Sequence, residues 1–294
     1  MKQQLTVALS LLFAAVSVRA DMANYQSTVN SQSPTYYFNF DNALSASVGS
    51  GTFTTAGTST GFASDYSANA NDALHVGNGS SGYTLTSPNI INGAGTTTGS
   101  GSFSFLFNLT STGSGGTGYF FSDGENTSGT AGSSGTVVSA LALDFSAGTF
   151  QFKVGNHSFS SATFLPAPTL STWYYFAATW NFNGATPTSD TVNWWIGSVG
   201  GTLVAGDNTL VPFTAFTSTT QVGDGGTLTL GNRRALNSSP QGSFDELATW
   251  NSQLTGSQVQ AQFNALSQPV PEPSVIALVG AGTLMLFGLR RKIA

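Results

Sequence analysis

The stretch Trp173-Tyr174-Tyr175-Phe176-Ala177-Ala178-Thr179-Trp180 has an apolar side chain at almost every position. Successive side chains of a β-strand point to opposite faces of the sheet, so a strand of this composition must be covered on both faces. Residues 192–196 form a second apolar run, which a loop containing Gly184 and Pro187 separates from the first. The sequence therefore predicts a central strand over residues 173–180 that pairs with residues 192–196.

Further strands are predicted elsewhere in the chain. Residues 102–109 alternate between phenylalanine or leucine and mostly polar side chains, which predicts a half-buried strand. Residues 141–145 and 150–154 flank the short loop Ser146-Ala147-Gly148-Thr149, a pattern that predicts a β-hairpin. A succession of roughly a dozen such runs indicates an all-β fold with two packed sheets.

Only one helix is predicted between the two ends of the chain. Residues 257–266 place Val259, Phe263 and Leu266 on one face, and Thr255 or Ser257 is the expected N-cap. Because this helix follows the last predicted strand, we expect it to close the domain.

The N-terminal segment has the parts of a secretory signal peptide. Lys2 precedes an apolar run over residues 5–18, and Val18-Arg19-Ala20 supplies small residues at positions −3 and −1 of a cleavage site. The sequence predicts a signal peptide over residues 1–20, removed by signal peptidase, and then an N-terminal arm over residues 21–34. The protein is therefore expected to be exported.

The charge and the cysteine content of the exported part exclude several classes of function. Residues 21–268 contain three basic residues against twelve acidic ones, a formal net charge of −9. Binding to phosphates requires clustered Lys and Arg, so nucleic acid is not an expected partner. The chain has no cysteine, which excludes disulfide bonds, Cys-ligated zinc and a thiol nucleophile.

The C-terminal segment has three parts in a fixed order. Residues 268–274 contain Pro271-Glu272-Pro273, residues 275–289 are hydrophobic, and Arg290 and Arg291 begin a basic end over residues 290–294. The prolines keep their segment extended, and the basic end is expected to stay cytoplasmic. A helix of about fifteen residues reaches only ~22 Å of a ~30 Å hydrocarbon core, which favours a transient transmembrane segment over a plain single-span anchor.

The middle of the chain resembles laminin-G-like, concanavalin A-like domains. Residues 173–180 and 192–197 are similar to a strand pair of that family, and residues 228–232 and 254–255 are similar to parts of its closing motif. The centre of that motif is similar to Gly242-Ser243-Phe244-Asp245-Glu246-Leu247-Ala248-Thr249-Trp250-Asn251. The resemblance implies a jelly-roll two-sheet sandwich over residues 35–267, with a short C-terminal capping helix before the C-terminal hydrophobic helix. It also implies carbohydrate binding or adhesion.

The C-terminal segment resembles the PEP-CTERM sorting signal, which exosortases of Gram-negative bacteria process. The resemblance rests on Pro271, Glu272 and Pro273, the apolar span, and Arg290 and Arg291. It implies an exosortase as processing partner and a location at the cell surface, in the envelope or in an extracellular polysaccharide matrix.

Two candidate ligand sites follow from the resemblance and from the residues themselves. Related sandwiches often hold calcium through an Asp of the last strand, which implies Asp245 as a ligand with Asp41 as a neighbour; hydrogen bonding within the strand is the alternative. Trp194 and Trp195 could stack on a sugar ring. Adjacent residues of a strand point to opposite faces, so at most one of the two is expected to reach a ligand.

No catalytic site is predicted. Retaining glycosidases use two carboxylates about 5 Å apart, whereas the only glutamates between the two ends of the chain are Glu125 and Glu246. His75 and His157 stand alone, without a second histidine at metal-ligand spacing. The expectation is a non-catalytic domain; the alternatives are a polysaccharide-cleaving hydrolase or lyase, and a purely structural matrix protein.

Overall fold

The computed structural model describes residues 22–77, 79–85, 98–111, 117–123, 141–146, 149–154, 157–160, 169–183, 191–206, 228–232 and 239–267. The predicted signal peptide, the three C-terminal segments and Glu125 lie outside these ranges. Neither helix within them has the length and apolar character needed to cross a membrane.

The described ranges form fifteen strands and two helices, α1 (Met22–Ser31) and α2 (Gly256–Ala265). The strands are β1 (Tyr36–Phe38), β2 (Thr54–Ala56), β3 (Thr60–Ala63), β4 (Ala73–Val76), β5 (Gly82–Leu85), β6 (Thr98–Ser111), β7 (Thr117–Asp123), β8 (Leu141–Ser146), β9 (Thr149–Val154), β10 (His157–Ser160), β11 (Trp173–Asn183), β12 (Thr191–Ser198), β13 (Val204–Ala205), β14 (Leu228–Leu230) and β15 (Gln241–Trp250).

The strands form two antiparallel sheets packed face to face, the jelly-roll sandwich that the sequence predicted. One sheet has the order β13-β12-β11-β6-β15-β4-β3, and β1 also pairs with β15; the other has the order β10-β9-β8-β7-β14-β5-β2. We call them the helix-covered sheet and the second sheet. The predicted pairing of β11 with β12 and the predicted hairpin β8–β9 are both present.

Aromatic rings fill the space between the two sheets. On β6, Phe103 and Phe107 point into this space, where they meet Phe121 and Phe120 of β7 at ring-centroid distances of 4.5 and 4.8 Å. The first pair is stacked and the second is tilted, and such ring contacts add to the free energy gained by removing the rings from water. With no disulfide available, this aromatic core and the strand pairing hold the sandwich together.

The central part of the outer face of the helix-covered sheet is buried as well, because both helices pack on it. The alternating pattern of β6 predicted a half-buried strand, and this prediction is wrong, because both faces of the strand are buried. Ser102 and Ser104 on its outer face are both fully buried. The Ser102 hydroxyl donates to the carbonyl of Ser252 at 2.8 Å and accepts from the backbone N–H of Leu254 at 2.8 Å. This serine therefore fastens the chain between β15 and α2 to the sheet.

The predicted closing helix is present as α2. Thr255 is its N-cap and forms a capping box with Gln258, in which each side chain accepts a hydrogen bond from the other residue's backbone N–H. Inside the fold, the buried Gln262 accepts a hydrogen bond from the Tyr175 hydroxyl at 2.7 Å and donates to Gln32 at 2.6 Å. Gln262 thus joins the sheet, α2 and the end of α1.

Helix α1 corrects the expectation of a single helix in this part of the chain. Met22, Tyr25 and Val29, spaced three and four residues apart, are buried on one face. The helix has only ten residues, and isolated helices of that length are marginal in water, so its sequence alone gave too weak a signal. Its stability must come from packing on the sheet and on α2.

We predict that Tyr25→Ala lowers the free energy of unfolding by about 3–5 kcal/mol, as for other large aromatic side chains truncated in a core. Tyr25 is fully buried, and its ring meets that of Tyr175 edge to face at a centroid distance of 6.3 Å. Denaturant unfolding measures the change, and Ser27→Ala on the exposed side of the same helix is the control. Equal stability of the two variants would contradict the packing of α1 on the domain.

Candidate functional site

The two adjacent tryptophans of β12 lie on opposite faces of the helix-covered sheet. Trp194 is 1% exposed and points into the core, where its indole fills the space beside Gly206; a Cβ on Gly206 would lie 1.8 Å from the ring. Trp195 points outward and is partly exposed. Of the two predicted sugar contacts, the structure therefore removes Trp194 and leaves Trp195 within reach of a ligand.

Trp195 lines a cleft of about 420 Å³ at the beginning of α2. The floor of the cleft is formed by Thr179 of β11 with Asn193 and Trp195 of β12, and its wall by the segment that leads into the helix, residues 253–256. Strands β11 and β12 continue past the point where α2 begins. The helix therefore covers one part of these strands and leaves the next part open, which creates the cleft.

The described lining of the cleft combines polar and apolar side chains and carries no charge. Asn193 and Gln253 bring amide side chains and Trp195 brings an aromatic surface, whereas Thr179 is only 1% exposed and the Thr255 hydroxyl is engaged in the capping box. None of the described lining residues is ionisable. Gln253 donates a hydrogen bond to the Thr191 hydroxyl at 3.1 Å, which orients its amide. A site of this kind suits a neutral ligand that has both hydroxyl groups and an apolar surface.

A second candidate site surrounds Asp245 and Glu246 on β15. The register with β6 shifts between Asp245 and Ala248, so one extra residue is inserted, and Glu246 adopts the left-handed conformation with φ +57°. The extra residue lets Phe244 and Leu247 both enter the core. As a result the two carboxylates lie on the same, outer face of the helix-covered sheet, beneath α1.

Both carboxylates are fully buried, but their hydrogen bonds differ. Glu246 accepts from the Gln26 amide of α1 at 2.9 Å and from the Tyr37 hydroxyl of β1. Asp245 accepts from the backbone N–H of Glu246 at 2.9 Å through Oδ1, whereas its Oδ2 has no hydrogen-bond partner within the described structure. Asp245 therefore retains one buried oxygen that could bind a further group.

The fold brings two further acidic residues, Asp41 and Asp65, close to Asp245 and Glu246. Strand β4 pairs with β15 at residues 242–244 and β1 pairs at residues 247–249, so the carboxylates lie at the junction of the two partner strands. The loops after β1 and β3 carry Asp41 and Asp65. Sequence reasoning named Asp41 and Asp245 and missed Asp65, Gln26 and Tyr37, because only the sheet order brings these five residues together.

Burial controls the ionisation of this group. Removal from water raises the pKa of Asp245 well above its ordinary value, and the charge of Glu246 raises it further. Burial also raises the pKa of Glu246 to about 8, although the hydrogen bonds from Tyr37 and Gln26 favour its charged form. Because the charges of Asp41 and Asp65 raise both values as well, two adjacent negative charges are costly here without a compensating cation.

The group fits a calcium ion in part. Calcium takes six to eight oxygen ligands, and the unpartnered Oδ2 of Asp245 is the kind of oxygen it uses. Within the described ranges, however, no three His, Cys, Asp or Glu side chains are arranged to hold one metal ion. Calcium bound by Asp245 would therefore need neutral oxygens, from main-chain carbonyls or water, to complete its coordination.

The comparisons with known proteins concern the fold. No protein-family model and no curated protein matches the sequence. The botulinum neurotoxin serotype D binding domain is 13% identical, with a TM-score of 0.51 over 81% of this chain and 52% of that chain. The serotype C1 binding domain is 14% identical, with a TM-score of 0.51 over 82% and 53%. This chain thus spans about half the length of these toxin domains, with which it shares the β-sandwich.

A third similar structure is domain 4 of AbnA, a GH43 extracellular arabinanase from Geobacillus stearothermophilus, in complex with arabinotriose. It is 21% identical, and the match covers 80% of this chain and 98% of that chain with a TM-score of 0.48.

Proposed function

We propose that this protein is an exported, non-catalytic carbohydrate-binding or adhesion domain. The observation that carries the proposal is the cleft beside Trp195, which is lined by that indole together with the amide side chains of Asn193 and Gln253. Sugars present hydroxyl groups at the edge of the ring and C–H groups on its face, and this lining offers a partner for each. The toxin domains of similar fold are also binding domains by name, which agrees with a binding role.

The environment of the carboxylates supports a non-catalytic role. Asp245 and Glu246 are 1% and 0% exposed and lie beneath α1, so they do not reach a substrate in this conformation. A polysaccharide-cleaving enzyme would need an accessible acid and an accessible base or nucleophile. Among the described residues that line the cleft, no side chain can fill either role, since none of them is ionisable.

The proposed location of the protein rests on its N-terminal and C-terminal segments. Residues 1–20 would direct export. An exosortase would recognise Pro271, Glu272 and Pro273. Meanwhile residues 275–289 would hold the chain in the membrane, and Arg290 and Arg291 would stay on the cytoplasmic side. The domain would then be displayed at the surface of a Gram-negative cell or released into its polysaccharide matrix. A short apolar span suits such temporary retention.

The binding role predicts that the full chain, purified in a mild detergent, binds a subset of immobilised polysaccharides on a glycan array. The array is read with and without calcium, and the heat-denatured protein is the control for nonspecific adsorption. A uniformly blank array under both conditions would count against the proposal. Release of reducing ends from the bound polysaccharides would instead favour the enzyme.

The sorting role predicts that replacing Pro271, Glu272 and Pro273 together by alanine leaves the protein in the inner membrane. In the native host, protease accessibility on whole cells and mass spectrometry of the C-terminus measure display and processing. Ser274→Ala, next to the triplet, is the matched control and is expected to be processed normally. Normal display of the triple variant would refute recognition of the triplet.

We further propose that Asp245 binds calcium, with Asp41 nearby. Calcium is then expected to raise the melting temperature of the native protein, and a chelator to lower it, because a ligand that binds only the folded state stabilises it. Asp245→Asn should abolish the response, and magnesium, which demands a smaller octahedral site, should produce less. An unchanged melting temperature with calcium and with chelator would remove the site.

A further inference from the structure

We propose that the cleft beside Trp195 binds an uncharged pyranose unit of a neutral polysaccharide and discriminates against acidic polysaccharides. This inference rests on the proposed function and adds the position of the ligand and its chemical class. The binding site is then on the outer face of the helix-covered sheet, in the part of that face that α2 does not cover.

Trp195 packs in part against the buried residues beneath the helices, and its other neighbours leave part of its ring accessible. In the antiparallel register, Trp195 lies opposite Ala177 of β11 and Ala205 of β13. Both neighbours are small, so neither side chain extends over the indole. Gly256, the first residue of α2, comes close without covering it: a Cβ placed on Gly256 would lie 3.7 Å from Cζ2 of Trp195. The ring therefore offers an apolar surface to the cleft, onto which the C–H face of a pyranose can pack.

Polar side chains lie beside the indole of Trp195. Asn193 is two residues before Trp195 on β12 and thus on the same face, and Thr179 of β11 is its cross-strand partner. Gln253 approaches from the wall of the cleft. Amides and hydroxyls both donate and accept hydrogen bonds, and sugar hydroxyls do the same, so each can satisfy the other.

Two electrostatic effects disfavour an acidic ligand, one inside the cleft and one at longer range. Within the cleft, a carboxylate would be partly removed from water, and the described lining residues include no Lys or Arg to pair with it, which makes its burial costly. At longer range, the formal net charge of −9 over residues 21–268 repels anionic polymers before they reach the site. A neutral polysaccharide meets neither the cost of burying an unpaired charge nor the long-range repulsion.

The test uses polysaccharides in pairs that share a backbone and differ mainly in charge: fully methyl-esterified polygalacturonate against polygalacturonate, and β-1,4-mannan against β-1,4-polymannuronate. Binding of the full chain in mild detergent is measured by titration calorimetry in 0.15 M salt, together with quenching of tryptophan fluorescence. We expect at least one neutral member to bind, and its acidic counterpart to bind at least tenfold more weakly. High salt should narrow the difference only in part, because it screens the long-range repulsion and leaves the cost of desolvation inside the cleft.

Three variants locate the site. Trp195→Ala is expected to weaken binding of the neutral polymer tenfold or more, and Trp195→Phe, which keeps an aromatic face, should weaken it less. Gly256→Gln should block the cleft with a side chain. Its matched control is Gly61→Gln on β3, where an added Cβ would meet no atom within 4 Å. Melting temperatures close to that of the native protein show that each variant is folded.

The outcomes separate this inference from the proposed function. Tight binding of an acidic polymer that is lost in Trp195→Ala would overturn the charge selection and leave the binding function standing. Binding of a neutral polymer that survives both Trp195→Ala and Gly256→Gln would overturn the assignment of the cleft. Failure of every polysaccharide to bind would refute the proposed function itself.

Discussion

The fold depends on one constraint, which is that strand β11 must be kept from water on both of its faces. Tyr175 and Ala177 on its outer face and Phe176 and Ala178 on its inner face are all buried. The inner face packs against the second sheet, as in any sandwich, but the outer face requires a separate cover. Helices α1 and α2 supply it, and the network from Tyr175 through Gln262 to Gln32 holds both of them in place.

The helices do not cover the whole outer face of the sheet, and the candidate ligand site lies where α2 begins. At Gly256, where α2 begins, Trp195 remains partly exposed, and Thr179 and Asn193 line the same cleft. The capping box of Thr255 fixes this beginning, so the position of the cleft is defined by the same hydrogen bonds that start the helix. The proposed glycan specificity rests on a concavity whose described lining carries no ionisable side chain, in a domain of net negative charge.

The carboxylates of β15 are linked to the same arrangement. Asp245 and Glu246 lie beneath α1, and Gln26 of that helix donates to Glu246. The left-handed backbone at Glu246 is an uncommon conformation for a residue other than glycine, and such strain persists only where its surroundings enforce it. Here the core enforces it, because Phe244 and Leu247 must both be inside. The pair is thus a consequence of packing, and the unpartnered oxygen of Asp245 is what it leaves available for a cation.

The sequence by itself determined the class of fold, the central strand pair, the β8–β9 hairpin and the capped closing helix, because alternation, turn residues and caps are local signals. It also determined that Trp194 and Trp195 oppose each other, since that follows from the pleat. The three-residue spacing of Phe244 and Leu247 was a readable sign of the bulge. Only the tertiary structure decided that α1 forms, that the serines of β6 are buried, and which tryptophan faces a cleft. Each of these depends on contacts between segments far apart in the chain, which no local pattern contains.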